Sequence, residues 1–474
     1  MASCACAPLS VTGMIQRSLL MSKGFRPQLM INASKYLQLS PHVFHHRNYS
    51  QSAQPAENVN GDVNYADTPS ATILDGKSYP KDEWSNVNQK ILSYTSRKLH
   101  LQKYNPLCHI KRRIVDFMYK EFPSRTRSPL FSVFEDLSPT VSIEQNFDSL
   151  LIPKDHPSRK KSDCYYLNKN HLLRAHTSAH QVELMRSGLN NFLVVGDVYR
   201  RDEIDKSHFP TFHQLEAVRL CGLHDVFRDE NIARELKIFE TGKVARSPEK
   251  QESHTVDAVM MMTNALQTTL IKLVHHLFGK DVETRWVETF FPFTHPSWEL
   301  EVKYNGEWLE VLGCGIMEQS ILQNAGAGDK IGWAFGLGLE RLAMKLYQIP
   351  DIRLFWSVDT GVVHQFKVDD PYAPIIYKPV SQYPPCKNDI SFWLPENSTF
   401  SSADFYDLVR SIGGELVEQV SFVDEFYHKK KQRWSHCYRI VYRDMSKTLT
   451  QEEANIIHSA IEQAAVKNLR VDIR

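Results

Sequence analysis

Between positions 160 and 345 the apolar residues fall mainly in short alternating runs, and this periodicity restricts the fold more than any other property of the chain. Phe192–Val198, Leu215–Leu220, Trp298–Val302 and Trp308–Leu312 carry the pattern of strands. The helical stretch Val256–Phe278 separates groups of strands and does not follow each one. Neighbouring strands with helices set apart predict an α+β fold on an antiparallel sheet flanked by helices, because a parallel sheet needs alternating βαβ units. Upstream, a helical pattern runs from Ile91 to Phe122. Within it Ile110, Ile114, Phe117 and Met118 share one face behind Pro106.

A second unit follows a passage punctuated by Pro371, Pro374, Pro379, Pro384 and Pro385, which reads as a linker because proline resists helix interiors and central strands. Beyond it, Asp389–Leu394 alternates as a strand and Ala403–Ile412 is helical up to Gly413-Gly414. Leu416–Val423 and Cys437–Tyr442 alternate again. Thr450–Leu469 is a helix capped by Thr450 with Glu453 three residues on, and Arg470–Ile473 makes a last short strand. The order βαββαβ is the ferredoxin-like split motif. The expected organisation is a leader over 1–50, a disordered extension over 51–95, a large α+β unit over 96–358, a linker over 359–380 and a ferredoxin-like unit over 381–474.

Several function classes are disfavoured. The eight cysteines are scattered with no C-x-x-C pair, so neither a zinc site nor a disulfide framework is expected. No G-x-x-x-x-G-K-[ST] or G-x-G-x-x-G opens a helix, which leaves P-loop and Rossmann nucleotide sites unsupported. No apolar run reaches membrane-spanning length, so no membrane association is expected. The formal net charge of +1 means that any contact with nucleic acid must come from local patches. The first acidic residue is Glu57, and before it stand Arg17, Lys23, Arg26, Lys35 and Arg47 among serines. That is the composition of an organelle transit peptide, drawn inward by a negative-inside potential, with a basic disordered tail as the alternative.

Four segments carry candidate chemistry. In Phe192–Glu203, a strand delivers Tyr199-Arg200-Arg201-Asp202 to a polar loop, alternation places Asp197, Tyr199 and Arg201 on one face with Val198 and Arg200 on the other, and an anchored arginine suits a phosphate through bidentate hydrogen bonds. On the strand that follows, Gln214 and Glu216 share a face and can bind an ammonium group. In Arg174-Ala-His-Thr-Ser-Ala-His-Gln181, an imidazole and a hydroxyl can hydrogen-bond a small polar ligand, or Thr177 or Ser178 can simply cap a helix. In Phe290-Phe291-Pro292-Phe293, two rings on one side of an extended chain can form an apolar slot or pack into the core. Gly336-Leu-Gly-Leu-Glu-Arg341 turns a strand into a helix that carries Arg341. Upstream, Glu307–Gly315 is a strand ending in glycines, and its Glu310 can hold Mg²⁺ on phosphate oxygens.

Together and in this order these segments resemble the class II aminoacyl-tRNA synthetases. Tyr199–Asp202 with the following strand resembles their motif 2, Gly336–Arg341 their motif 3, and the helix after Asn105-Pro106 a degenerate motif 1. The serine segment and the Phe-Pro-Phe slot narrow the resemblance to the phenylalanyl enzymes, and the last unit with the leader to their single-chain mitochondrial form. It covers roughly residues 95–474.

The resemblance implies an ATP-dependent ligase of the mitochondrial matrix, acting as a monomer on L-phenylalanine and mitochondrial tRNA(Phe). Its cofactor would be Mg²⁺ with ATP, with no prosthetic group and no zinc. Arg200, Arg341 and His208 would be catalytic. Arg200 would sit on the α-phosphate, Arg341 on the γ-phosphate, and Phe212 against adenine. The substrate set would comprise His176, Ser178, Ala179, His180, Gln181, Ser207, Phe209, Gln214, Leu215 and Glu216. Phe291, Phe293 and Phe335 would take the ring, and Glu310 the metal. The last unit would bind the anticodon through Lys429, Lys430, Lys431 and Arg433 beside Trp434, although a solvated hairpin is an equal alternative. Two departures stand out. Asp202 occupies a position where glutamate is usual, and Ala217 replaces a common glycine, which is expected to narrow the pocket floor.

Overall fold

The computed structural model describes residues 70–124, 126–227, 235–379, 383–395, 400–444 and 447–474. The leader over 1–50 and the segment 51–69 lie outside them. The remainder of the expected disordered extension is corrected. Strands β1 (Ala71–Leu74) and β2 (Lys77–Pro80) form a hairpin, and the helix Gln89–Thr95 follows, capped by Asn88. The segment escaped sequence reading because its order comes from distant partners. Asn86 donates to the carbonyls of Lys161 and Cys164, and Tyr94 packs on Phe209 and Trp356.

The helix Pro106–Glu121 starts where Asn105 caps it and proline occupies the first turn. Three short strands follow: β3 (Ser132–Phe134), β4 (Thr140–Ser142) and β5 (Tyr166–Asn168). β6 (His171–Leu173) joins β4 and β5 in a small sheet. The main sheet comprises β3, β7 (Asn191–Tyr199), β8 (Thr211–Cys221), β9 (Thr284–Glu288), β10 (Thr294–Tyr304), β11 (Glu307–Met317) and β12 (Ile331–Gly338). Its order is β3-β7-β8-β12-β11-β10-β9; β3 runs parallel to β7 and every other pair is antiparallel. The α+β expectation therefore holds.

The helices Pro106–Glu121, Val256–Phe278 and Leu339–Leu346 bury their apolar faces with Leu193, Val195, Leu215 and Ala217 in one core. In the last unit, β13 (Cys386–Trp393), β14 (Val417–His428), β15 (Arg433–Tyr442) and β16 (Asp472–Ile473) pair in the order β14-β15-β13-β16. The helices Ser402–Gly413 and Gln451–Leu469 pack on Phe392, Tyr438 and Ile440, giving the ferredoxin-like βαββαβ order. Thr450 and Glu453 form the expected capping box.

The expected linker over 359–380 is also corrected. It contains a short helix, Thr360–Val363, and it seats Phe366 and Tyr377 in the main core, where Tyr377 N–H donates to the Tyr347 carbonyl at 2.8 Å. Its prolines exclude regular sheet but leave the aromatic residues free to pack. The two units meet at the loop after β7. Arg201 reaches Asp404 and Asp407, each at 2.7 Å, and Arg410 donates to the Asp202 carbonyl at 2.8 Å. Ile204 enters the core of the last unit, and its carbonyl accepts from Val420 N–H at 3.0 Å. Arg201 thus leaves the face that it was expected to share with Asp197 and Tyr199.

Alongside β7, Arg174 and Asp197 form a buried ion pair at 2.8 Å, and Tyr199 Oη also donates to Asp197. Gly196 makes room for it, since a Cβ there would stand 2.2 Å from the Arg174 guanidinium. Burial alone would raise the Asp197 carboxyl, but Arg174, His213, the Tyr199 hydrogen bond and His100 together outweigh it and hold that carboxyl below the usual carboxylate range. Removing one partner strands a buried charge. Asp197→Ala is therefore expected to cost about 3–5 kcal/mol in urea unfolding near neutral pH. The wild-type advantage should fade as pH falls below the ordinary carboxylate value of about 3.9 and through the depressed native one. A loss below about 1 kcal/mol would show that the pair does not anchor this part of the fold.

Candidate active site

Strand alternation sorts β8 into two sets. Phe212, Gln214 and Glu216 face a cleft, while Leu215 and Ala217 face the main core. The cleft consists of two cavities of about 750 and 1040 Å³. Both are lined by Arg200, Asp202, Gln214, Glu310 and Gly336, so they adjoin at the end of β7.

The smaller cavity holds a carboxylate and an aromatic slot. Glu216 is buried and accepts hydrogen bonds from Ser178 Oγ at 2.7 Å, Thr177 Oγ1 at 3.0 Å and Gln181 Nε2. Burial raises its pKa against these hydrogen bonds, and a cation beside it would favour the charged form. Gln214 lies alongside, its Oε1 accepting from Thr177 N–H at 3.3 Å. Phe291 and Phe293 stack with ring centroids 5.7 Å apart and planes 9° apart. The slot is closed by Gly313 and Ala334. A Cβ on Gly313 would approach the Phe291 ring to 2.9 Å, so glycine lets that ring sit on β11. His176 lies over Phe293 at 6.5 Å, and burial pushes its pKa down to about 3, leaving it neutral.

The larger cavity carries the cations. Arg200 Nε donates to the Ala175 carbonyl at 2.9 Å, and the guanidinium lies 5.1 Å from the Phe212 ring centre. Arg341 Nη1 lies 3.1 Å from both the Glu310 carboxylate and the Glu310 carbonyl. The Glu310 carboxylate belongs to both cavities, and its charge adds to burial in raising the pKa of Glu299. Ser207, His208 and Phe209 line the far wall. His208 Nδ1 lies 2.7 Å from Asp205. Burial opposes its charging, but that hydrogen bond and the carboxylates of Asp202, Asp205 and Glu203 raise its pKa overall.

Most of the expected residues converge here, and four do not. Leu215 points into the main core because its two neighbours on β8 point into the cleft, and Phe335, paired with Ala217, shares that core face. Ala179 packs in a separate apolar cluster, and His180 contacts Arg174 at 3.0 Å. The expectation for Ala217 is corrected for the same reason as Leu215, since a residue facing the core cannot narrow the pocket. Sequence reading missed Thr177, whose signal was its place in the serine segment. It also missed Glu299, Gly313 and Ala334, which only strand register brings to the cleft.

In the last unit, Lys429 and Lys430 are exposed in the turn between β14 and β15. Lys431 Nζ lies 4.9 Å above the Trp393 ring, and Arg433 is engaged with Asp472 at 2.7 Å and with the Leu394 carbonyl. Among the described residues no group of three or more His, Cys, Asp or Glu could hold a metal on its own, and no helix is long and apolar enough to cross a membrane.

Residues 103–226 and 224–366 match the family model of the tRNA synthetases class II core domain (F), and 381–474 match the ferredoxin-fold anticodon binding domain. The chain is 56% identical over 399 residues to the mitochondrial phenylalanine–tRNA ligase of Mus musculus, covering 84% of this chain and 88% of that one. It is 51% identical over 423 residues to the probable mitochondrial phenylalanine–tRNA ligase of Drosophila melanogaster (86% and 93%). To the Saccharomyces cerevisiae mitochondrial enzyme it is 36% identical over 452 residues (85% and 94%). Both the cleft and these matches lead to one assignment: the chain belongs to the phenylalanine–tRNA ligase family of class II aminoacyl-tRNA synthetases.

Proposed function

We propose that this chain activates L-phenylalanine with ATP and transfers it to mitochondrial tRNA(Phe), acting as a monomer in the mitochondrial matrix. The carrying observation is the junction at Arg200, where an aromatic slot with a buried carboxylate adjoins a cavity lined by arginines. The substrate ring enters between Phe291 and Phe293 against Gly313 and Ala334, and its ammonium meets Glu216 and Gln214. Ser178 and Gln181 hold that carboxylate in place, and neutral His176 borders the slot. Adenine stacks on Phe212. The amino-acid carboxylate attacks the α-phosphorus as the bond to the bridging oxygen of pyrophosphate breaks. Arg200 neutralises charge on the α-phosphate, and Arg341 and His208 neutralise charge on the departing end.

The carboxylates suit the family's Mg²⁺. Glu310 and Glu299 repel one another, and Mg²⁺ is held by one or two carboxylates together with substrate phosphates. Glu310 would hold it, and the ion would supply charge neutralisation on the triphosphate. Glu310 pairs with Arg341; on ATP binding, Arg341 would turn to phosphate and Glu310 would hold the ion. The terminal ribose hydroxyl of the tRNA then attacks the mixed anhydride and releases AMP. Lys429, Lys430 and Lys431 offer the last unit's cations to the anticodon arm, with Arg433 bracing the hairpin from within.

Arg200→Ala is expected to slow single-turnover adenylate formation by about 10²–10³-fold. A change under about threefold would remove Arg200 from the chemistry. An apolar slot discriminates weakly against an added hydroxyl, so phenylalanine should exceed tyrosine in kcat/KM for pyrophosphate exchange by about 10². Equal efficiency for both would sink the phenylalanine assignment, and a ratio above about 10⁴ would require a hydroxyl-rejecting group in the slot. The last unit covers the loop Asp202–Ile204 and must leave it to admit an acceptor stem. Small-angle scattering should therefore show the protein component changing shape when tRNA binds, and superimposable protein profiles would contradict this.

A further inference from the structure

Glu340 and His213 have no part in the reaction outlined above, yet each sits beside a residue that does. His213 lies between Phe212 and Gln214 on β8, and Glu340 immediately precedes Arg341. Both side chains are buried. The Glu340 carboxylate uses both of its oxygens on His213: Oε2 accepts from the backbone N–H at 2.8 Å, and Oε1 lies 2.6 Å from Nδ1.

The backbone contact has a topological reason. The pairing of β8 with β12 ends at Gln214–Gly338, where β12 turns into the helix Leu339–Leu346. His213 is the next residue outward on β8, so its N–H has lost the strand that would accept from it. Glu340, in the first turn of the helix, supplies the acceptor in place of that strand, and a carboxylate is favoured at that end of a helix. The imidazole is fixed from its other sides by Trp356 and His100, at ring-centroid distances of 6.0 and 5.2 Å.

We propose that His213 and Glu340 are positioning residues that clasp the adenine-side strand to the phosphate-side helix, fixing the span between Phe212 and Arg341 so that ATP is received at both ends. The clasp deepens the synthetase reading and rests on it for the identity of the nucleotide. His213 lines neither cavity, and Glu340, at the margin of the larger one, has both carboxylate oxygens engaged by His213. A purely stabilising role does not require polar side chains here, because a buried polar pair is often no more stable than apolar residues of the same volume. What a hydrogen-bonded clasp adds is a defined distance. The fork of the carboxylate sets the rotation of the helix, and with it the direction of Arg341, relative to β8.

The test uses the full chain with Glu340→Gln, His213→Ala and His213→Asn, the last retaining a donor near the Nδ1 position. Thermal unfolding, ATP affinity by calorimetry and the two KM values of pyrophosphate exchange are measured for each. Glu340→Gln and His213→Ala should weaken ATP binding and raise the ATP KM by about tenfold or more, leaving the phenylalanine KM within about twofold. His213→Asn should recover most of what His213→Ala loses. Variants that melt early but bind ATP normally in their folded fraction would overturn the proposal, as would equal rises in both KM values. Failure of the wild-type chain to exchange pyrophosphate would sink the reaction assignment, and calorimetry would still decide the clasp.

Discussion

The alternation of side chains along Thr211–Cys221 governs this molecule. One face of that strand gives Phe212, Gln214 and Glu216 to the cleft; the other gives Leu215 and Ala217 to the core beneath. A slip of one residue would exchange the two sets, placing a carboxylate in the core and leucine in the pocket. The register is held from both sides, by nine paired positions with β7 and eight with β12. Because the core face is packed against helices, the functional face needs no stabilising contacts of its own and can keep polar groups poised for a ligand.

The buried polar groups next to the cleft serve the same end. Arg174 pairs with Asp197 alongside β7, while its own carbonyl accepts from Tyr199 N–H at 2.9 Å and the next carbonyl, of Ala175, holds Arg200. The guanidinium at the junction is therefore fixed by backbone that a buried ion pair anchors. Preorganisation of this kind lets a charge act without reorganising during reaction. The cost is dependence on residues far from the substrate, including the glycine at 196 that admits the Arg174 side chain.

Much of this was legible in the sequence, and what was missed has a common cause. Strand alternation exposed the sheet, the helix Val256–Phe278 and the βαββαβ order of the last unit, because each depends on local periodicity. The aromatic slot and the arginines were visible as short motifs. The hairpin over Ala71–Pro80 and the packed segment holding Phe366 and Tyr377 were not, since partners remote in sequence make them ordered. Ala179, His180 and Leu215 were placed with the substrate by adjacency to true cleft residues, which a period-two strand or a tight turn does not respect. Arg201 was assigned a face by alternation, but β7 ends at Tyr199 and Arg201 belongs to the contact with the last unit.

That contact links the chemistry to the recognition of tRNA, since one loop carries Asp202 at the cleft and Ile204 in the core of the ferredoxin-like unit. Everything nonetheless depends on the two adjoining cavities receiving the two halves of one intermediate. A crystal structure with a non-hydrolysable phenylalanyl-adenylate analogue tests this most directly. The phenyl group should lie against Phe291 and Phe293, the amino group beside Glu216, the adenine on Phe212, and the linking group within hydrogen-bond distance of Arg200. An analogue bound with its ring away from that slot, or with Arg200 turned from the linker, would contradict the assignment.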